Sequence, residues 1–250
     1  MSSETETRLE ETYEHQETAD SKFAPAVHVI AAIHFWLVYF YDRLYIKYPI
    51  QFQLRFLTYW NVLLQAAYFI ICVGNYFYGS NGINPRPVPL IRQVRDYVYA
   101  AVAFPVAMFV GMEFWMLMCI DRELIFPRAL DAIVPNWLNH AIHTNIMIFT
   151  LLEMVTSFRK YPNRSKGLAG LTAFMATYGV WLHIIYAVSG SWVYPVLNVV
   201  NWWQRVIFFL FALCLVLGLY FIGELVNTIV WGEILQKLEA ERTHEKTKYE

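Results

Sequence analysis

Apolar residues run along this chain in long blocks separated by short polar ones. Residues 23–41 contain no Asp, Glu, Lys or Arg, and similar blocks cover 56–78, 97–120, 135–157, 168–188 and 205–231. Each is close to the ~20 residues that an α-helix needs to cross a bilayer. The pattern therefore predicts an all-α, polytopic membrane protein, a bundle of six transmembrane helices. Composition agrees, since 58% of the residues are hydrophobic and only 16% charged, against about 25% charged in soluble domains. Three regions follow: a disordered acidic cytoplasmic tail (1–22), a six-helix transmembrane domain (23–231) and a charged cytoplasmic tail (232–250).

The connections carry fewer signals. Residues 79–96, rich in Gly, Pro and Arg, are expected to be a loop. DRELIFPRALDAIVPN (121–136) is expected to be a partly ordered cap, and FRKYPNRSK (158–166) a short basic turn. SGSWVYPVLNVVNWW (189–203) is uncharged and aromatic, as segments at the membrane interface tend to be. Pro105 should kink the third span. His28 and His34, in the first span, are expected to find partners inside the bundle. Six spans put both termini on one side of the membrane. With the termini cytoplasmic, thirteen of the nineteen Lys and Arg fall on the cytoplasmic side, the arrangement the positive-inside rule favours.

The chemistry concentrates in PNWLNHAIHTNIMIFT (135–150), where the fourth span begins with two polar turns. Asn136, Asn139, His140 and His143 stand three to four residues apart and share one helix face. Imidazoles inside a membrane helix are costly unless they face a partner or a water-filled cavity. Thr58 opens the second span from the same side, and at 1.5 Å per residue both Thr58 and His143 lie within roughly 10 Å of that surface. Glu113 in the third span comes to a similar depth, whereas Glu153 and Glu224 fall near the opposite surface. A histidine within hydrogen-bond reach can activate a threonine hydroxyl for acyl transfer. The competing expectation is that a threonine near a helix start bonds to its own backbone. His140 and His143 alone are too few for a metal site, and no His box recurs, so no metal and no cofactor are expected. A net charge of −1 gives no reason to expect nucleic acid. Cys72, Cys119 and Cys214 lie far apart in apolar runs, which indicates neither a disulfide framework nor a zinc site.

FLTYWNVLLQ (56–65), AVAFP (101–105), DRELIFP (121–127), NWLNHAIHT (136–144), WVYP (192–195) and GELVN (223–227) resemble, in the same order, stretches of the androgen-induced membrane protein family, which includes regulators of tissue factor pathway inhibitor. The resemblance implies six spans and hydrolysis of fatty acid esters of hydroxy fatty acids by a membrane-embedded threonine and histidine. By that likeness the threonine is Thr58 and the histidine His143, with the lipid ester drawn from the bilayer. His140 matches the motif's first histidine and is assigned a supporting role. Asn139, Glu113 and Asp121 are candidates to orient His143, and Arg122 or Arg205 to attract a free carboxylate on the substrate. The expected location is the plasma membrane or the endoplasmic reticulum, and the sequence leaves the oligomeric state open. Two alternatives stand beside the enzyme: a non-enzymatic membrane regulator or receptor sharing the fold, and a transporter. The transporter is the weaker, because the polar pocket lies away from the midplane where transporter sites sit.

Overall fold

A computed structural model describes residues 18–46 and 50–249. Its regular elements are helical: α1 (Ala24–Tyr41), α2 (Leu57–Tyr78), α3 (Leu90–Ile120), α4 (Asn136–His143), α5 (Asn145–Thr156), α6 (Arg164–Ser189), α7 (Pro195–Val199) and α8 (Trp202–Tyr249). Long apolar runs satisfy their backbone groups within the helix, which a bilayer requires of a spanning segment. α1, α2, α3, α6 and α8 are each long and apolar enough to cross a membrane. The chain is thus an all-α, polytopic membrane protein.

Three expectations need correction. The fourth span is two consecutive helices, α4 and α5, divided at Thr144. Thr144 Oγ1 lies 3.2 Å from both Trp115 Nε1 and His140 Nδ1. α3 comes unusually close at this point: a Cβ on Gly111 would stand 2.6 Å from the His143 carbonyl oxygen and 2.5 Å from Met147 Sδ. Secondly, residues 90–96 belong to α3 rather than to a loop. Thirdly, residues 18–22 are not a free tail. Ser21 N–H donates to Thr156 O at 2.8 Å and Asp20 Oδ1 accepts from Phe158 N–H at 2.7 Å; the rest of the predicted tail, 1–17, lies outside the described residues. The charged C-terminal segment from 232 continues α8 as helix to Tyr249, an extension its sequence allows.

Pro105 disturbs α3 as its chemistry dictates. It has no N–H and its ring crowds the carbonyl four residues back. The helix accommodates this with a π turn over Tyr99–Ala103, just ahead of it.

Two large apolar cores, with two smaller ones beside them, fill the bundle among the described residues. One, around Phe35, Phe69, Phe104, Ile146 and Met154, packs α1, α2, α3, α4 and α5 together. The other, around Leu57, Val106, Leu171, Val216 and Tyr220, joins α2 and α3 to α6 and α8. The approach at Gly111 gives a direct expectation. Gly111→Ala should force α3 away from the α4–α5 junction and cost about 1–3 kcal/mol, as overpacking does. Gly218, with open space around its Cβ position, is the control. Thermal unfolding in detergent should show a lowered midpoint for Gly111→Ala and none for Gly218→Ala.

Candidate functional site

A cavity of about 550 Å³ opens between the helices at the Thr58 end of the bundle, with mostly apolar walls. Thr58 is the second residue of α2, and the start of that helix is firmly held. Leu57 N–H donates to the hydroxyls of Tyr178 (2.9 Å) and Tyr194 (3.0 Å). Tyr178 in turn donates to Arg55 O at 2.9 Å, and the Trp60 and Trp181 indoles both donate to Leu54 O. Burial, the largest influence on the Tyr194 phenol, raises its pKa, so it stays protonated. Apart from Trp60, in α2 itself, these anchors come from α6 and from the turn before α7.

His143 closes α4 and is buried. Its ring stacks on Phe114 with centroids 3.6 Å apart and planes 10° from parallel. Nδ1 lies 2.8 Å from Asn139 Oδ1 and 3.0 Å from Asn139 O. Two acceptors at Nδ1 require its proton there, which leaves the lone pair on Nε2. Nε2 is 3.3 Å from Thr58 Oγ1. Threonine, histidine and asparagine thus stand in line at the cavity wall, the order that a nucleophile, a base and an orienting group require. The i,i+4 spacing of Asn139 and His143 on one helix face makes this contact possible.

The other predicted residues divide. His140 is exposed, stacks on Trp115 and lies against Thr144 Oγ1. Glu113 lines the cavity. Asp121 caps the turn that follows α3 by accepting from Glu123 N–H at 3.0 Å, so it does not reach His143. Arg122 pairs with Asp131 at 2.6 Å, and Arg205 Nε donates to Leu197 O at 2.8 Å. Neither arginine lines the main cavity. Arg205 lines an adjoining cavity of about 250 Å³ whose wall shares His183, Phe209 and Leu213 with the larger one. Sequence reasoning missed Tyr178, Tyr194 and Trp181; of these only Tyr194 fell in a quoted stretch, WVYP.

At the opposite end of the bundle lies a second polar cluster that the sequence hid. Glu153 is fully buried. Its Oε1 accepts from Arg159 and Tyr68, both at 2.7 Å, while Oε2 lies 2.6 Å from His28 and 3.1 Å from Ser157 Oγ. The Arg159 guanidinium lies 3.4 Å from the Tyr99 ring centroid. Arg92 and Arg95 both donate to Phe158 O at 2.9 Å and pair with Asp96 at 2.7 and 2.8 Å. The expected basic turn is therefore anchored through buried charges. Ligand atoms of His28, Cys72 and Glu153 lie within 4.8 Å of one another. Both Glu153 oxygens are already occupied, however, and an ion would have to displace one of these partners. Glu224 pairs with Arg164 at 2.9 Å and stands apart from both clusters.

The fold and site define an all-α polytopic membrane protein with a threonine–histidine contact in an apolar cavity at one end. The FAR-17a/AIG1-like protein family model matches residues 24–228, and the chain belongs to that family. It is 38% identical over 202 residues to human androgen-induced gene 1 protein, covering 78% of this chain and 84% of that protein. It is 36% identical over 181 residues to mouse androgen-dependent TFPI-regulating protein, covering 72% and 78%. The human protein of the latter name is 33% identical over 183 residues, covering 73% and 79%. No solved structure matches the chain.

Proposed function

We propose that this chain is a membrane-embedded hydrolase of lipid esters in which Thr58 is the nucleophile and His143 the base. Fatty acid esters of hydroxy fatty acids, the class implied by the sequence resemblance, are the proposed substrates. The observation that supports this reading is the 3.3 Å approach of Thr58 Oγ1 to His143 Nε2 at the wall of an apolar cavity. An acyl chain partitions from the bilayer into such a cavity, which brings the ester to the pair.

Thr58 Oγ1 attacks the ester carbonyl while His143 Nε2 takes its proton. The tetrahedral intermediate collapses, the C–O bond to the alcohol breaks, and His143 returns the proton to the departing alkoxide. Water then attacks the acyl-threonine with the same base, releasing the acid and restoring Thr58. Asn139 keeps the Nδ1 proton in place and turns the imidazole toward Thr58. Asn139→Ala removes one of two acceptors at Nδ1 and leaves the backbone oxygen. The lost hydrogen bond is worth about 1 kcal/mol, so kcat should fall about 5-fold. Steady-state hydrolysis by the purified variant measures it. The free carboxylate of the substrate would stay at the cavity mouth, nearer Arg205 than Thr58.

The proposed orientation puts the termini in the cytoplasm and the Thr58 end on the other side. Arg92, Arg95 and Arg159 are held in buried ion pairs. Setting those three aside, ten basic residues remain on the terminal side against six opposite, still the sense of the positive-inside rule. Terminal tags should be closed to antibody in intact cells and open after permeabilisation; labelling of intact cells would reverse the orientation.

The reading as a whole is tested with the purified chain in lipid nanodiscs. Cleavage of a lipid ester into one acid and one alcohol, absent with Thr58→Ala, is the expected result. Equal cleavage by the variant would contradict it.

A further inference from the structure

The chemistry above leaves one charge unattended. As Thr58 attacks, the ester carbonyl oxygen becomes an oxyanion, and in an apolar cavity that charge needs hydrogen-bond donors. Two groups beside the pair stand without partners. The first is the backbone N–H of Thr58 itself. At the start of α2, Leu57 N–H is taken by two tyrosine hydroxyls, while Tyr59 and Trp60 N–H donate to Phe56 O at 3.1 and 3.3 Å. Thr58 N–H makes no hydrogen bond among the described residues. It is one of the donors that a helix start leaves open, and it lies at the positive end of a 22-residue helix dipole.

The second group is Glu113. It lines the cavity, it is 9% exposed, and neither of its carboxyl oxygens has a hydrogen-bond partner among the described residues. Buried polar groups are nearly always partnered. Asn139 already holds His143 Nδ1, so that role is not open to Glu113. Glu113 precedes Phe114, the ring stacked on His143, and lies within electrostatic range of the Tyr194 hydroxyl that holds Leu57 N–H. It therefore faces the same end of α2 as the open N–H. No Lys or Arg lines the cavity among the described residues. Nothing there offsets a carboxylate, and a buried carboxyl in that setting keeps its proton. A protonated carboxyl is a donor, and an apolar site can hold a carboxylic acid neutral so that it binds an oxyanion.

We propose that Thr58 N–H and the Glu113 carboxyl O–H form the oxyanion hole of this site. As the bond from Thr58 Oγ1 to the carbonyl carbon forms, the carbonyl π pair moves onto oxygen and both donors bind it; neither of their protons is transferred. When the C–O bond to the alcohol breaks, that pair returns to the carbonyl. The proposal rests on the hydrolase reading and adds the groups that stabilise its transition state.

The test gives the oleate ester of ricinoleic acid to the full-length chain in nanodiscs. Glu113→Leu should lower kcat roughly 100- to 1,000-fold, the effect of losing one oxyanion donor. KM should stay nearly unchanged, because the lost contact belongs to the transition state. Glu113→Gln, which keeps an N–H donor, should hold kcat within about 10-fold of native. An apolar side chain in place of an unpartnered carboxyl should not lower the thermal midpoint, so the loss reports chemistry rather than folding. A second measurement needs no turnover. An oleyl trifluoromethyl ketone adds to Thr58 as a hemiketal oxyanion, whereas the matching methyl ketone binds unaltered, and ligand-induced thermal stabilisation reads both. Glu113→Leu should weaken only the first, by a similar factor. Equal losses for both ketones, a raised KM with kcat unchanged, a fully active Glu113→Leu, or a Glu113→Gln as slow as Glu113→Leu would each overturn the proposal and leave the hydrolase reading in place. A native chain that cleaves no ester and favours neither ketone would overturn that reading and the proposal with it.

Discussion

Under the proposed mechanism Thr58→Ala should abolish ester hydrolysis while leaving protein abundance near normal, because the residue is half-buried at a helix start and its loss opens little space. His143→Ala should lower turnover by roughly 100- to 10,000-fold, the usual contribution of general acid–base catalysis. The double variant is no worse than Thr58→Ala, since each change disables the same proton-transfer unit and such losses do not add. His140→Ala costs far less, because that ring is exposed, lies against Thr144 and Trp115, and does not line the cavity. Turnover of all four variants at matched protein levels checks the set. A dead His140→Ala beside an active His143→Ala would make His140 the base instead, and independent multiplication of the Thr58 and His143 losses would separate the pair.

Glu153→Ala destabilises the protein by about 3–5 kcal/mol, the cost of leaving a buried charge without its partner. Arg159, 0% exposed, is the charge left behind. Tyr68, Ser157 and His28 lose an acceptor in the same step. Against the 5–15 kcal/mol that holds a typical domain together, this is a large fraction, and abundance in membranes falls with it. Removing both charges, as Glu153→Leu with Arg159→Met, recovers much of the loss, because an apolar pair of similar volume is often as stable as a buried ion pair. Thermal unfolding of the two single variants and the double gives the coupling. Equal, additive losses would show that Glu153 and Arg159 are not a unit.

The spans were legible because a bilayer demands about twenty apolar residues in a row, and five of the six blocks fold as continuous helices long enough to cross. The break in the remaining one, the fourth, was not. It lies where Thr144 meets Trp115 and where Gly111 lets α3 approach, contacts made by a helix about thirty residues away. The buried charges were misread for a similar reason. Arg92, Arg95 and Arg159 look like loop residues in a polar stretch, and only their pairing with Asp96 and Glu153 shows them to be interior. At the Thr58 end, spacing put Asn139 and His143 on one face and depth put Thr58 level with them. Choosing Asn139 over Glu113 or Asp121 as the residue at Nδ1 needed the structure, which puts both Asn139 oxygens against that nitrogen. Tyr178 and Tyr194 escaped notice because two tyrosines in aromatic-rich stretches carry no periodic signal.

The central claim is that His143 activates the Thr58 hydroxyl as a nucleophile. The most direct measurement treats solubilised membranes with a fluorophosphonate, which an activated hydroxyl attacks at phosphorus with loss of fluoride, and locates the adduct by peptide mass spectrometry. The account predicts a single adduct on Thr58 in the native chain, none in Thr58→Ala, and a greatly slowed reaction in His143→Ala. An adduct on another residue, or labelling of Thr58 at an unchanged rate without His143, would contradict it.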